Sequence, residues 1–344
     1  MDAFLYADFL GQAVWLWLLF LVIVVTLLVL DLGVLHRKNR EIGVRESLLL
    51  SAGYMALASI FGAWLWWKLG AQSGMEYFTG YVIELSLSMD NLFVIAMVFG
   101  YFAIPRELMH RVLFWGIVGV IVLRAIMIGV GAALIHQFEW ILYVFGAFLV
   151  FSGIRMLFAE SHGPDLSKNW LIGWLRRHLR ITPQLHGEKF FVKQPDPKSG
   201  KLVVWATPLF LALCMVEIAD LVFAVDSVPA IFAITTDTFI VYTSNIFAIL
   251  GLRAMYFALS ALIHRFHYLK YALALVLVFV GTKIFLVNIV GKIPPAISLS
   301  VTFALIGGGV LLSLWKTRPG SGDPHAVPMA GVTAPLTNAP AQGK

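Results

Sequence analysis

Charged residues and cysteine are scarce in this chain, and each shortage excludes a class of protein. Asp, Glu, Lys and Arg make up 13% of the 344 residues, whereas soluble domains average about 25%. Hydrophobic residues account for 60%, which predicts an all-α, polytopic membrane protein rather than a soluble one. The single cysteine, Cys214, excludes a disulfide framework and a multi-cysteine metal site.

Nine apolar runs in the sequence are each long enough to cross about 30 Å of hydrocarbon as a helix. They occupy residues 11–35, 46–68, 76–101, 110–135, 139–159, 204–233, 239–262, 268–290 and 296–315. Lys and Arg concentrate in the connections on one side, which predicts an outside amino terminus and a cytoplasmic carboxyl terminus. This topology accounts for the net charge of +6. The lipid bilayer is therefore an expected partner, and nucleic acid is not.

Three regions lie wholly or partly outside the helical repeat described below. Residues 1–68 are predicted to form two N-terminal transmembrane helices, and residues 160–203 a large cytoplasmic loop. In that loop, "NWLIGWLRRHLRIT" has the composition of an amphipathic helix lying among lipid headgroups. "EKFFVKQPDPKSGKLVVW" has two β-prone runs around a turn, which predicts a hairpin. The Pro-, Gly- and Ala-rich tail, 316–344, is expected to be disordered.

An internal repeat relates residues 76–159 to residues 204–290, and 296–315 forms a final transmembrane helix. In the first copy Glu84 precedes an Asp-Asn pair by six residues; in the second, Asp220 precedes an Asp-Ser pair by six. Arg124 and Arg253 recur in similar contexts, "VLRAIM" and "GLRAMY". Because each copy has three spans, consecutive copies must cross the membrane in opposite directions. Inverted repeats with a polar site between them are typical of secondary transporters.

Five carboxylates lie well inside the apolar runs, away from the run ends: Glu84, Asp90, Glu217, Asp220 and Asp226. Each costs roughly 2.5–3.5 kcal/mol at the membrane centre. The two arginines, Arg124 and Arg253, are the obvious partners, and purely structural ion pairs are one interpretation. Five negative charges against two positive ones leave three unbalanced, so protons or metal cations are expected to supply the remainder. The predicted metal ligands are Glu84, Asp90, Asn91, Glu217, Asp220, Asp226 and Ser227.

The donor types predict the class of metal. Carboxylate, amide, hydroxyl and carbonyl oxygens suit Mg, Ca or Mn, and no bound prosthetic group is expected. On an ideal helix Asp226 points about 180° away from Glu217. A helix break at Pro229 would bring Asp226 inward, and a simple packing kink is the other interpretation. Asp31, near the end of the first run, is either a solvated cap or a ligand on the route into the site.

Several stretches resemble the TerC family of bacterial integral membrane proteins, and within it the Alx branch. They are "GYVIELSLSMDNLFV", "VEIADLVFAVDSVPAIFAITTDTFIVYTSNIFAILGLRAMYF" and "YLKYALALVLVFVGTKI". The resemblance covers residues 11–315 and all five acidic positions. It implies a protein of the bacterial inner membrane that exports Mn²⁺. Relatives are also associated with alkaline response, tellurium resistance and, in an older proposal, redox modulation.

Other functions are weighed against export. None of the nine apolar runs contains the GxGD signature of intramembrane aspartyl proteases, and the chain has no cysteine pair or recognisable haem or flavin motif, so no enzyme is expected. A membrane scaffold, or a redox or stress modulator without transport of its own, is the alternative. Protons and a divalent cation are the expected small partners, and homo-oligomerisation stays open.

Overall fold

A computed structural model describes residues 2–30, 44–138, 140–158, 170–195, 201–259, 269–290 and 294–316. In these ranges eleven helices and two short antiparallel hairpins are present. The helices are α1 (Asp2–Leu5), α2 (Val14–Leu30), α3 (Val44–Leu69), α4 (Ala71–Tyr101), α5 (Arg106–Gln137), α6 (Ile141–Phe158), α7 (Trp170–His178), α8 (Pro208–Phe232), α9 (Thr238–Leu259), α10 (Leu269–Val290) and α11 (Pro295–Lys316). The strands are β1 (Asp8–Phe9), β2 (Gln12–Ala13), β3 (Phe191–Pro195) and β4 (Leu202–Ala206).

Seven helices of the described part are long and apolar enough to cross a membrane: α3, α5, α6, α8, α9, α10 and α11. Helix α2 is apolar but has only 17 residues. Helix α4 has 31 residues and carries three acidic ones, Glu76, Glu84 and Asp90. The prediction of an all-α, polytopic membrane protein is thus confirmed, and the count of nine spans stays a prediction.

Large apolar side chains on the outside of the helices fit a lipid environment. Phe151 on α6 is 63% exposed and Leu311 on α11 is 70% exposed. In water such a surface would be unfavourable, whereas hydrocarbon solvates it at no cost. The polar side chains described below therefore have to find partners inside the bundle.

Helices α4 and α8 occupy the centre of the bundle. Helix α4 packs against α8 and α9, and α8 packs against α4 and α5. Helix α3 covers α4 and α9, while α11 covers α4 and α10. The arrangement puts the two helices that carry the acidic positions next to each other. The inverted relation between the two sets of three helices stays a prediction.

Helices α6 and α10 cross at small residues. A methyl group on Gly281 would lie 2.6 Å from the carbonyl oxygen of Gly146, and one on Gly153 would lie 2.7 Å from the carbonyl oxygen of Ala274. Both distances are below any normal carbon–oxygen contact, so the two backbones can approach this closely only without side chains. Small residues serve the same purpose at many helix crossings in membranes.

The 160–203 connection contains the two elements predicted from its sequence, where the structure describes it. Helix α7 is present, and β3 pairs with β4 from Phe191 opposite Ala206 to Pro195 opposite Leu202. The Thr207 hydroxyl donates to the Lys189 carbonyl oxygen at 2.8 Å, which ties the hairpin to the start of α8. The predicted disordered tail falls on residues 317–344, outside the described residues.

The expected break at Pro229 is absent, because α8 is one continuous helix through that residue. Pro229 lies within four residues of the helix end, at Phe232, so little helix remains beyond it to be redirected. A proline without an N–H leaves the carbonyl of Val225 without its usual helical donor. Asp226 reaches the interior from an unbroken helix, as described below.

The α6–α10 crossing makes a stability prediction. Gly281→Ala and Gly153→Ala each force a methyl group against backbone, and overpacking of this kind costs about 1–3 kcal/mol. Thermal unfolding of the purified protein in detergent is therefore expected at a lower temperature for both variants. Gly308→Ala on α11 is the control, because nothing lies within 4 Å of the added methyl group. Equal melting temperatures for all three variants would show that the crossing is not tight.

Candidate functional site

Arg124 of α5 is the centre of the buried polar network. Its side chain is 1% exposed, yet it carries a full positive charge. The guanidinium forms a bidentate contact with Asp220 of α8. Its Nε donates to Oδ2 at 3.1 Å and its Nη2 donates to Oδ1 at 3.2 Å. The third nitrogen, Nη1, lies 3.0 Å from Oε1 of Glu84 and donates to the Ser227 hydroxyl at 2.7 Å. One arginine thus joins α4, α5 and α8.

Glu84 and Asn91 each have one buried oxygen atom that accepts no hydrogen bond from a described residue. Glu84 is fully buried, and its Oε1 accepts from the Ser88 hydroxyl at 3.0 Å. Asn91 donates through Nδ2 to Oδ1 of Asp220 at 3.2 Å. The other oxygens, Oε2 of Glu84 and Oδ1 of Asn91, are buried without a hydrogen-bond partner among the described residues. Buried acceptors without donors are costly, so a donor or a cation is the group that such atoms can bind.

The contacts show how α4 and α8 lie against each other. Asn91 meets Asp220, whereas Glu84, seven residues earlier on α4, shares Nη1 of Arg124 with Ser227, seven residues later on α8. The two helices are therefore antiparallel here. At both points one helix contributes a carboxylate and the facing helix contributes an amide or a hydroxyl: Asp220 faces Asn91, and Glu84 faces Ser227. All four residues were predicted as metal ligands from the sequence, and the structure brings them together.

Two small cavities adjoin this network, each of about 50 Å³. The cavity named here the Asp220 cavity is lined by Asp220, Asn91 and Ser88 and otherwise by apolar side chains of α4, α5, α8 and α9. The second, named the Glu84 cavity, is more polar. Its lining residues are Glu84, Leu87, Ser88, Asn91, Arg124, Met156, Phe223, Asp226, Ser227 and Leu277. Ser88 and Asn91 line both cavities, so they form the partition between them.

Asp226 reaches the Glu84 cavity, and Glu217 lines neither cavity. Oδ1 of Asp226 accepts from the Ser152 hydroxyl of α6 at 2.8 Å. The carboxylate of Glu217 lies instead against Gly119 of α5, where a methyl group would overlap it, and its Oε2 is buried without a partner. Glu217 and Asp226 therefore do not line one cavity in this conformation, and their joint role as metal ligands stays a prediction. The continuous helix α8 keeps them on different sides.

Three other predicted residues are not described by the structure, either entirely or in their side chains. Asp31 lies outside the described residues, and the side chains of Asp90 and Arg253 are not among those described. Among the described side chains, no three from His, Cys, Asp and Glu are close enough to hold one metal ion. Of the described carboxylates, Glu84 and Asp220 form salt bridges with Arg124, which stands between them.

Sequence reasoning missed two further buried charged residues and three smaller neighbours. Glu76 on α4 and Lys283 on α10 are each 8% exposed. They carry charges of opposite sign and so leave the net balance unchanged. Ser88, four residues after Glu84, could have been found from helical spacing. Ser152 and Gly119 could not, because their roles depend on which helices are neighbours.

A divalent cation cannot simply join this arrangement. A guanidinium and a divalent ion about 5 Å apart repel by roughly 7 kcal/mol at an effective dielectric constant of about 20. Both oxygens of Asp220 already accept from Arg124. Oε2 of Glu84 is unpartnered, and only one oxygen of Asp226 accepts from Ser152. The carboxylates of this network can thus bind a cation or a hydrogen-bond donor. In this structure the cation that they bind is the guanidinium of Arg124.

Residues 69–321 match the profile of the family described as "Integral membrane protein TerC family". The chain belongs to this family. The match begins at the end of α3 and includes every helix that contributes to the buried network. The resemblance seen in the sequence is confirmed. No solved structure matches the chain.

Relatives of this TerC protein are similar along almost their whole length. A membrane protein of Rickettsia bellii, described as uncharacterized, is 46% identical over 298 residues, or 87% of this chain and 96% of the relative. A similarly described protein of Myxococcus xanthus is 46% identical over 303 residues, covering 88% and 93%. A protein of Escherichia coli K12 named "Putative membrane-bound redox modulator Alx" is 45% identical over 309 residues, covering 87% and 94%.

The buried ion pairs lead to a test of what holds the TerC bundle together. Arg124→Leu leaves Glu84 and Asp220 without their cation, and removing one member of a buried pair costs about 3–5 kcal/mol. The triple variant with Glu84→Gln and Asp220→Asn added is expected to regain more than half of that loss, because no uncompensated charge remains. Thermal unfolding in detergent measures both. A triple variant no more stable than Arg124→Leu would assign the loss to packing instead of charge.

Proposed function

We propose that this TerC protein is a secondary transporter that exports divalent cations, with Mn²⁺ as the substrate, from the cytoplasm of a bacterium. It would lie in the plasma membrane with its amino terminus outside and its carboxyl terminus in the cytoplasm, as the distribution of Lys and Arg predicts. The transported ion is a passing substrate and not a resident cofactor.

One observation carries the proposal: buried oxygen ligands without partners line a cavity in the middle of the bundle. Oε2 of Glu84 and Oδ1 of Asn91 have no donor, and both residues line the Glu84 cavity together with Asp226 and Ser227. A purely structural network would be expected to satisfy its oxygens, because nothing else in hydrocarbon can. Carboxylate, amide and hydroxyl oxygens are the ligands that Mn²⁺ accepts.

The size of the Glu84 cavity indicates how the ion would be bound. The cavity is small, with a volume of about 50 Å³, so an ion inside it would lie close to the oxygens of the lining side chains. These protein oxygens would replace part of its hydration shell. A site that replaces waters by placed oxygens is the usual basis of ion selectivity.

Two cavities separated by a thin polar partition also favour transport. Ser88 and Asn91 line both cavities, so an ion in one lies a single side chain away from the other. The surrounding packing has the pairing that an inverted repeat needs, since α4 contacts α9 and α8 contacts α5. Such repeats with a site between them support alternating access in other transporters.

A redox function is the second candidate, because relatives carry the name of a membrane-bound redox modulator. Cys214 is the one cysteine of the 344 residues, so the chain alone cannot form or exchange an internal disulfide. A redox role would need a partner that brings the electron-carrying group. The buried carboxylates have no evident part in such a role, and we therefore favour cation export.

Flux measurements test the proposal directly. Asp220→Asn and Glu84→Gln each remove a charge that the site needs, so Mn²⁺ flux in vesicles containing only the purified protein is expected to fall by roughly tenfold or more. Matched controls are Asp8→Asn and Glu188→Gln, which make the same chemical changes away from both cavities. Flux should stay near wild type in the controls. Wild-type flux in both site variants, or no flux by the wild type, would contradict cation export.

A pH gradient is expected to drive the transport. Carboxylates must lose their protons to bind a metal, so loading Mn²⁺ releases protons and unloading takes them up. Exchange in opposite directions moves Mn²⁺ towards the acidic side, and vesicles with an acidic interior should accumulate it. An indicator inside the vesicles follows Mn²⁺, and the pH outside follows the protons. Mn²⁺ flux that does not change with the pH gradient and is not accompanied by proton movement would contradict exchange and indicate a channel or uniporter.

A further inference from the structure

We propose that Arg124 is the built-in competitor of the transported cation: it occupies the ligands in the empty carrier and helps to expel the metal. This inference rests on the proposed function and adds the means of release. The sequence assigns Arg124 only to holding carboxylates in place. The geometry assigns it the same oxygens that a metal would use.

The first step is the identity of the atoms that Arg124 binds. Its nitrogens contact both oxygens of Asp220, one oxygen of Glu84 and the hydroxyl of Ser227. All three residues supply hard oxygen donors suited to a divalent cation. An oxygen that points its lone pairs at a guanidinium N–H cannot direct the same lone pairs at a metal ion. Full coordination by these residues therefore requires Arg124 to withdraw.

The second step is the state of the oxygens that Arg124 does not reach. Oε2 of Glu84 and Oδ1 of Asn91 are buried and unpartnered, and they belong to residues of the Glu84 cavity, which Arg124 also lines. An arriving ion can contact these atoms first, while Arg124 still holds Asp220. Repulsion between the ion and the guanidinium then favours withdrawal of the arginine. The divalent ion and the guanidinium of Arg124 thus bind the same oxygens alternately.

The third step concerns release. A divalent ion held by several buried carboxylates would leave slowly, and a transporter needs its site to let go. A guanidinium tethered to α5 is always present at the site, so its return to Asp220 does not depend on concentration. The bidentate contact that it regains offsets the loss of the metal. An arginine in this role weakens binding and speeds turnover together.

Equilibrium binding of ⁵⁴Mn²⁺ to the full-length protein in lipid nanodiscs tests the inference. For Arg124→Gln the dissociation constant is expected to fall by about tenfold or more, because the competing charge is gone. Flux in vesicles should fall by a similar factor, because release becomes slow. Arg111→Gln is the matched control: it lies on the same helix, pairs with Glu188 at 2.6 Å and lines neither cavity. Its binding and flux should match the wild type.

The outcomes separate this inference from the proposed function. Weaker or unchanged Mn²⁺ binding in Arg124→Gln, with normal binding in the wild type, would overturn the competitor role and leave Arg124 as a support for its carboxylates. A wild type that binds no Mn²⁺ would overturn cation export itself, and this inference with it.

If Arg124→Gln does not fold, Arg124→Lys provides the same test. The ammonium keeps the charge but cannot make the bidentate contact. It should therefore compete less well, and the dissociation constant should fall by roughly threefold. An unchanged or larger dissociation constant in Arg124→Lys would overturn the inference.

Discussion

A full positive charge far from water can persist only where negative charge surrounds it, and the centre of this protein is built on that constraint. Arg124 is 1% exposed, and Glu84 and Asp220 approach it from α4 and α8. Neither carboxylate would be tolerated there alone. The three charges therefore fix the relative positions of three helices, and they decide which other side chains can reach the same place. Asn91 and Ser227 join the network only because α4 and α8 are antiparallel at that level.

The sequence was a good guide to elements with a strong local signal. Long apolar runs identify helices because hydrocarbon allows no other single-segment structure, and the hairpin at β3 and β4 has a clear turn between two β-prone runs. The acidic positions could be found for the same reason, since each is costly in apolar surroundings. That Arg124 pairs with buried carboxylates was expected from charge alone, whereas the choice of Glu84 and Asp220 was not. Lys283 was not among the buried charges expected from the sequence, although it lies inside the apolar run 268–290.

The contacts between helices could not be predicted from the sequence. Glu217 and Asp220 are three residues apart and share a helical face, and both lie against α5, Glu217 at Gly119 and Asp220 at Arg124. A carboxylate goes where a neighbouring helix leaves room, and the room at Gly119 depends on how α5 and α8 cross. The expected break at Pro229 failed for a related reason. A proline in the last turn of a helix has few residues beyond it to displace, and α8 continues through Pro229 to Phe232.

The close crossing of α6 and α10 has a consequence for the wall opposite the carboxylates. Met156 comes from α6 and Leu277 from α10, and both line the Glu84 cavity. Because Gly146 and Gly281 bring the two backbones into direct contact, neither helix can slide or rotate without carrying the other. The two helices therefore form one unit of the cavity wall. A substitution that shifts either helix at the crossing would move Met156 and Leu277 together and change the space available to an ion.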